Sequence, residues 1–265
     1  NNNPFIILIE LRDDTIDSLD IGYGTKFIGD GAFSLCHNLK SITILDSVIS
    51  IGDLAFSSCY KLKSITIADS VTSIGYNAFN GCRSLTSITI PDSVTSIGHY
   101  AFFNCSSLTS ITIPDSVTSI GNGILAGCSS LESIVVSDGN TNYHSAGNCL
   151  IETASKTLIS ACNNSVIPAD GSVTSIGVCA FDGCSSLTSI TIPDCVTSIG
   201  AQVFKNCSSL KSITIPDGVT SIGREAYYGC SSLTSITIPD SVMSIGRQAF
   251  SGCSSLESII VSKGN

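Results

Sequence analysis

The sequence predicts an α/β repeat fold, a right-handed solenoid of parallel β-strands and short 3₁₀ or α turns. Its period is 23 residues, because nine cysteines fall into two series with that spacing, one from Cys36 to Cys128 and one from Cys184 to Cys253. A Leu-x-x-Ile-x-Ile segment recurs in step with them, as at residues 85–90. A fixed period of roughly 20–29 residues with Leu and Ile at set offsets is typical of a leucine-rich repeat solenoid, in which each coil contacts only its neighbours.

The repeat at residues 85–107, LTSITIPDSVTSIGHYAFFNCSS, shows what one coil contains. The first six residues end in alternating polar and apolar side chains, and this alternation predicts a β-strand with one buried face. Pro91, Asp92 and Ser93 predict a turn. Gly98 indicates either a positive φ or a close backbone approach. The Ala-Phe segment that leads to Cys105 is too short for a long helix and predicts one turn of 3₁₀ or α.

The repeats define the domain organisation. Residues 1–15 lie outside the repeat, and their apolar run predicts an N-terminal segment that caps the first coil. The solenoid is predicted to span residues 16–265, and its last repeat, from Leu256, is expected to be truncated.

The repeat that begins at residue 131 is 33 residues too long, with an insertion at about residues 137–172. Two short apolar runs, at residues 149–152 and 157–161, predict a β-hairpin that projects from one edge. Cys149 and Cys162 flank this hairpin and could face each other in a disulfide.

Composition excludes several classes of function. The chain has 265 residues, 12% of them charged, and a net charge of −9. Nucleic acids and anionic membrane surfaces require clusters of Lys and Arg, so neither is an expected partner. No run of 18 apolar residues is present, and membrane insertion of this segment is not expected.

The nine periodic cysteines are expected to point into the core as buried, reduced thiols, since Cys packs as a small apolar residue. A disulfide ladder along the column is the alternative. Metal sites are not expected, because no CxxC pair with a nearby His completes a ligand set.

No residues predict an enzyme. His37, His99 and His144 lie in no recognisable catalytic motif, and no cofactor is expected. An aspartate recurs in the turn of most repeats and indicates either turn-capping carboxylates or a row of Ca²⁺ sites. These residues are Asp46, Asp69, Asp92, Asp115, Asp194, Asp217 and Asp240.

The outward face of the predicted strands repeats Ser and Thr. It offers either a soluble β-favouring surface or a hydroxyl array for glycan or ice. The serines are Ser41, Ser64, Ser87, Ser110, Ser133, Ser189, Ser212 and Ser235, and the threonines are Thr43, Thr66, Thr89, Thr112, Thr191, Thr214 and Thr237.

The positions around Ala-Phe differ from repeat to repeat and carry aromatic and Arg side chains, which protein interfaces favour. They are therefore the candidate partner-binding residues, with neutral variation at exposed positions as the alternative. The candidates are Tyr76, His99, Tyr100, Phe103, Arg224, Tyr228 and Arg247.

The repeat resembles that of the BspA-like leucine-rich repeat proteins. The resemblance rests on Ile-Pro-Asp-Ser-Val-Thr-Ser-Ile-Gly, then Ala-Phe, then Cys-Ser-Ser-Leu, and it covers residues 16–265. It implies a non-enzymatic cell-surface or secreted protein that mediates adhesion or binds a protein, including host matrix or plasma proteins such as fibronectin and fibrinogen. A structural spacer that displays another domain is the alternative, and a monomer is expected.

Overall fold

A computed structural model describes residues 6–8 (backbone only), 15–21 and 24–261. The chain forms two compact units, Asn1–Asn142 (unit 1) and Tyr143–Asn265 (unit 2). In each unit, parallel strands of consecutive coils pair at intervals of one repeat, as Ser41 with Ser64 and Ser212 with Ser235. Most of the capping segment predicted at residues 1–15, and the end of the last repeat, lie outside the described residues.

The described residues of unit 1 form eleven strands in three sheets. The orders are β1-β3-β5-β7-β8-β10, β2-β4-β6 and β9-β11. The strands are β1 Ile6–Leu8, β2 Ser18–Ile21, β3 Thr25–Ile28, β4 Ser41–Ile44, β5 Ser50–Ile51, β6 Ser64–Thr66, β7 Ser73–Ile74, β8 Ser96–Ile97, β9 Ser110–Ile113, β10 Ser119–Ile120 and β11 Ser133–Val136.

In unit 2, the part of the chain that the structure describes forms eleven strands in two sheets, in the orders β12-β13-β14-β15-β17-β19-β21 and β16-β18-β20-β22. The strands are β12 Tyr143–Ala146, β13 Cys149–Glu152, β14 Thr157–Ser160, β15 Ser175–Ile176, β16 Ser189–Thr191, β17 Ser198–Ile199, β18 Ser212–Thr214, β19 Ser221–Ile222, β20 Ser235–Ile238, β21 Ser244–Ile245 and β22 Ser258–Val261.

A typical coil has two strands, where the sequence predicted one. The first is the predicted Ser-Ile-Thr-Ile segment, with its isoleucines buried and its hydroxyl residues outside, as in β9. The second is a two-residue Ser-Ile strand directly before the recurring glycine, as in β8. Residues 87–90 do not form a first strand. This interruption separates the sheet β2-β4-β6 from the sheet β9-β11 in unit 1.

The predicted 3₁₀ or α turn is wrong, since the described residues form no helix. The reason is that Tyr100 and Asn104 have φ angles of 56° and 57°, in the left-handed region. Alternate amides therefore point along the solenoid: Tyr100 N donates to Asn122 O at 3.0 Å and Asn104 N to Ala126 O at 2.8 Å. In an α-helix these amides would bond within the segment instead.

The recurring glycine meets the second of the two predicted alternatives. Gly98 is not among the residues with positive φ. A Cβ added at Gly98 would lie 2.6 Å from both Gly75 C and Tyr76 N, so the coil can approach its neighbour only without a side chain at this position.

The core consists of columns of identical side chains. In unit 1, the rings of Phe33, Phe56, Phe79 and Phe102 stack at centroid distances of 5.0, 5.2 and 5.5 Å. The cysteine column runs beside them. Each inner thiol donates to a phenylalanine carbonyl of the preceding coil, as Cys105 Sγ does to Phe79 O at 3.2 Å.

The thirteen cysteines, all of them among the described residues, carry thiols and form no disulfide, and this includes Cys149 and Cys162. Free sulfur is soft and small enough for the column, and the S–H group is a weak donor. The S–H group thus gives the phenylalanine carbonyl a second hydrogen bond. The same carbonyl already accepts one from a backbone N–H within its own coil, as Phe56 O does from Cys59 N at 3.3 Å.

The inserted strands do not project from the solenoid. β13 and β14 pair antiparallel, but β14 also pairs in parallel with β15, through Leu158 and Ile176. Ile151 and Leu158 are fully buried in the core of unit 2. Leu158 thus occupies the place that the Ile of a preceding coil would take, and the insertion continues the sheet of second strands.

We expect the thiols to be unreactive in the native protein. Burial removes access and raises the thiol pKa, to about 12 for Cys59. Titration with a disulfide reagent near neutral pH should modify at most the two half-buried groups, Cys195 and Cys253. Denaturation without reductant should release all thirteen thiols. A smaller number would show that part of the column is oxidised.

We expect the substitution Tyr227→Phe to stabilise the protein. Tyr227 replaces Phe in the ring column of unit 2, and its hydroxyl is buried without a hydrogen-bond partner among the described residues. Tyr227→Phe should raise the free energy of unfolding by about 1–2 kcal/mol, since it removes an unsatisfied polar group and keeps the ring. Phe204→Tyr, one coil earlier, is the matched control and should destabilise by a similar amount in urea denaturation. A destabilised Tyr227→Phe variant would contradict this account.

Candidate functional site

Three predicted binding residues of unit 1, the exposed Tyr76 and the half-buried Tyr100 and Phe103, form one cluster, which we call the aromatic surface. Tyr76 and Tyr100 meet edge to face at 6.3 Å between ring centroids, and Tyr100 meets Phe103 in the same way at 5.7 Å. Tyr76 is 44% exposed. The positions of these residues explain the contact, because Tyr76 follows Gly75 in one coil and Tyr100 takes the left-handed position of the next coil.

His99 lies in the same coil as Tyr100 but has a structural partner. Its Nδ1 accepts a hydrogen bond from Asn122 N at 2.8 Å. Asp53 Oδ1 caps Tyr76 N in the same way at 2.7 Å. The residue after each recurring glycine can therefore cap the next coil. Because Nδ1 is an acceptor, the neutral imidazole carries its proton on Nε2.

A second exposed stack was missed in the sequence. His37 and Tyr60 stack in parallel at 4.8 Å, and the Arg83 guanidinium lies 5.2 Å from the Tyr60 ring. These residues directly follow the column cysteines of three consecutive coils. The available signal was that later coils place Ser at this position, as at Ser106 and Ser129.

Of the predicted binding residues of unit 2, Arg224 belongs to a polar network around Glu225 and Tyr228 lies beside it. Arg224 Nε and Lys205 Nζ each donate to this carboxylate at 2.9 Å, and Gln202 Nε2 donates at 2.8 Å. Lys205 also lies 5.3 Å from the centroid of the Tyr228 ring. Arg247, one coil further, is exposed.

The pKa values of two carboxyl groups in this region are shifted in opposite directions. Hydrogen bonds from Gln202 and Lys205 lower the pKa of Glu225 to about 2. Burial raises the pKa of Asp182 to about 6, although Lys205 and Asn206 act against this shift. The sequence contained no signal for this pair, because the two acids come from different repeats.

Other predicted features are not assembled into chemical sites. No group of three or more His, Cys, Asp or Glu side chains among the described residues could hold a metal ion. His144 Nδ1 lies 3.0 Å from Thr153 Oγ1, and no carboxylate is bonded to this imidazole in the described part of the chain. The described residues include no helix that could cross a membrane.

The raised pKa of Asp182 leads us to expect that the stability of the protein depends on pH. The folded pKa of Asp182, about 6, exceeds its ordinary value of 3.8, so ionisation costs stability as pH rises through this interval, and the cost is complete above it. Asp182→Asn cannot ionise. It should raise the free energy of unfolding by about 2 kcal/mol near pH 7, and by much less at about pH 3.5. Asp217→Asn, at an exposed turn, is the control for urea denaturation at both pH values. A gain that does not depend on pH would contradict the assignment.

Comparisons with known proteins agree on one fold. The family model described as "BspA type Leucine rich repeat region (6 copies)" matches residues 16–149 and 152–265. Among curated proteins, none matches the chain.

Several solved structures are similar. A leucine-rich repeat protein from Eubacterium ventriosum is 28% identical over 96% of this chain and 77% of its own, with a TM-score of 0.76. A leucine rich cell surface protein from Faecalibacterium prausnitzii is 29% identical over 100% of this chain and 92% of its own, with a TM-score of 0.56. The pneumococcal vaccine antigen PcpA has the same fold, with a TM-score of 0.81 and 24% identity over 93% of this chain and 62% of its own.

The family match includes coils of both units, with their two strands, recurring glycine and cysteine column. The chain therefore belongs to the BspA-type leucine-rich repeat proteins.

Proposed function

We propose that the chain is a non-enzymatic module of a cell-surface or secreted protein, and that it binds a protein partner through the aromatic surface of unit 1. The observation that supports the proposal most is the edge-to-face cluster of the exposed Tyr76 with the half-buried Tyr100 and Phe103. Aromatic side chains supply large contact area at low conformational cost, and they are enriched at the centres of protein interfaces.

The contrast with the strand face supports the choice of surface. In unit 2 this face places Ser189, Ser212 and Ser235 in register, one above another. A protein that reads such a face meets the same groups at every coil and can shift by one coil at little cost. The aromatic surface differs from coil to coil and offers one defined position.

The surface location is supported by the family and by the F. prausnitzii relative, which is described as a cell surface protein. Host matrix and plasma proteins, such as fibronectin and fibrinogen, are the proposed partners. In unit 2, Arg224, Tyr228 and Arg247 are a secondary candidate surface, because Arg224 is engaged by Glu225 at 2.7 Å.

The experiment is a panel of immobilised host proteins, followed by titration against whichever protein binds. Tyr100→Ala combined with Phe103→Ala should weaken binding by about 2 kcal/mol, the loss expected when hot-spot residues are truncated. Thr89→Ala with Thr112→Ala, on the strand face, is the matched control and should change little. The opposite ranking would move the site to the hydroxyl face. Absence of any saturable binding would favour the spacer.

A further inference from the structure

A groove in unit 1 combines an aromatic ring, a carboxylate and an imidazole. It runs beside three second strands, β7, β8 and β10, with Asp53 contributed by the coil before them, and we call it the Asp53–His99 groove. Its walls include Asp53, Tyr76 and His99, and its floor includes Ser73, Ser96 and Ser119. The serines lie in register on neighbouring strands, so each coil contributes one hydroxyl to the floor.

The polar groups of the walls have unused hydrogen-bonding capacity. Asp53 Oδ1 accepts from Tyr76 N, whereas Asp53 Oδ2 makes no hydrogen bond in the part of the chain that the structure describes. His99 Nδ1 accepts from Asn122 N, so His99 Nε2 is a donor on an exposed side chain. An acceptor on one coil and a donor two coils further on are thus available to one ligand.

The floor hydroxyls differ from those beside them. Ser93 Oγ donates to Val71 O at 2.6 Å, and Thr95 Oγ1 donates to Thr72 O at 3.2 Å, so both serve the coil stack. The neighbouring hydroxyl of Ser96 has no partner among the described residues. Each serine hydroxyl can donate once and accept twice, which suits a ligand that is rich in hydroxyl groups.

We propose that the Asp53–His99 groove binds a neutral, linear, extended glycan. The half-exposed Tyr76 ring offers the apolar face on which a pyranose can stack, and Asp53 and His99 offer polar partners for its hydroxyls. The strands repeat about every 4.8 Å along the groove, and a β-1,4-linked pyranose chain repeats over a similar length. Successive sugars would therefore meet equivalent hydroxyls on successive coils.

Charge favours a neutral ligand over an acidic one. The protein carries a net charge of −9, and the groove itself includes the Asp53 carboxylate. The inference is independent of the protein partner, although Tyr76 belongs to both surfaces. Residues that belong to only one surface, His99 and Phe103, therefore separate the two ideas.

Unit 2 supplies an internal control. The equivalent positions there carry the serines Ser198 and Ser221, but the residues after the recurring glycines are Ala201 and Arg224. The hydroxyls are thus repeated without an aromatic ring or a carboxylate.

The test is calorimetric titration of the full chain with β-1,4-linked oligomers of N-acetylglucosamine and of glucose, from one to six sugars. Affinity should rise about tenfold from one sugar to three and then level off, because three second strands line the groove. Tyr76→Ala should weaken binding about tenfold or more, and His99→Asn, which keeps an acceptor for Asn122 N, by several-fold. Ser198→Ala and Phe103→Ala should leave sugar affinity unchanged, with folding verified by circular dichroism.

Three results would overturn the inference: no binding of either series at millimolar concentration, equal binding of hyaluronan oligosaccharides, or unchanged affinity in Tyr76→Ala. The first of these leaves the proposed protein partner intact if Phe103→Ala still weakens protein binding. Conversely, sugar binding that is lost in His99→Asn, without saturable protein binding, supports the groove and refutes the aromatic surface.

Discussion

Hydrogen bonding between equivalent backbone groups of consecutive coils is the constraint on which this structure depends. In the sheets of second strands, each coil donates to the one before it, as Gly98 N does to Ile74 O at 2.8 Å. In the Ala-Phe segment the direction reverses, as Phe102 N donates to Ile124 O at 3.0 Å. Both sets of bonds require consecutive coils to have the same repeat length. An insertion is accommodated only if it rejoins the ladder in register, as β14 does with β15.

The same constraint determines the core. Since equivalent residues lie above one another, each buried side chain packs mainly against its own counterpart, and the requirements apply to whole columns. Phenylalanine stacks on phenylalanine, and column cysteines such as Cys82 bond to a carbonyl of the preceding coil. Ile124 and Leu125, which take the places of Ala and Phe, are both buried, so the column tolerates a redistribution of volume. Tyr227 departs further, because it brings a hydroxyl that has no hydrogen-bond partner among the described residues.

Surface chemistry is free to vary only where the ladder does not use the side chain. The positions around Ala-Phe and after the column cysteine meet this condition, as does the position after the recurring glycine where its side chain does not cap the next coil. Stacking brings such residues from neighbouring coils together. In unit 1 this produces the contact of Tyr76 with Tyr100 and the stack of His37 on Tyr60. In unit 2 the same positions produce the network around Glu225. A regular scaffold therefore creates specific surfaces through a few irregular positions.

The sequence by itself determined the repeat, the first strand of most coils, the buried columns and the membership of Tyr76, Tyr100 and Phe103 in one set of variable positions. Periodicity carries this information, because each residue type recurs at a fixed offset. Only the tertiary structure decided the rest. It replaced the predicted helical turn with alternating left-handed residues, since amides such as Tyr100 N find partners 22 residues away in the next coil. It placed the inserted strands within the sheet, and it joined Asp53, Tyr76 and His99 in one groove. These outcomes depend on contacts between coils. The local sequence pattern does not indicate which hydrogen-bonding groups of the neighbouring coil remain unpaired.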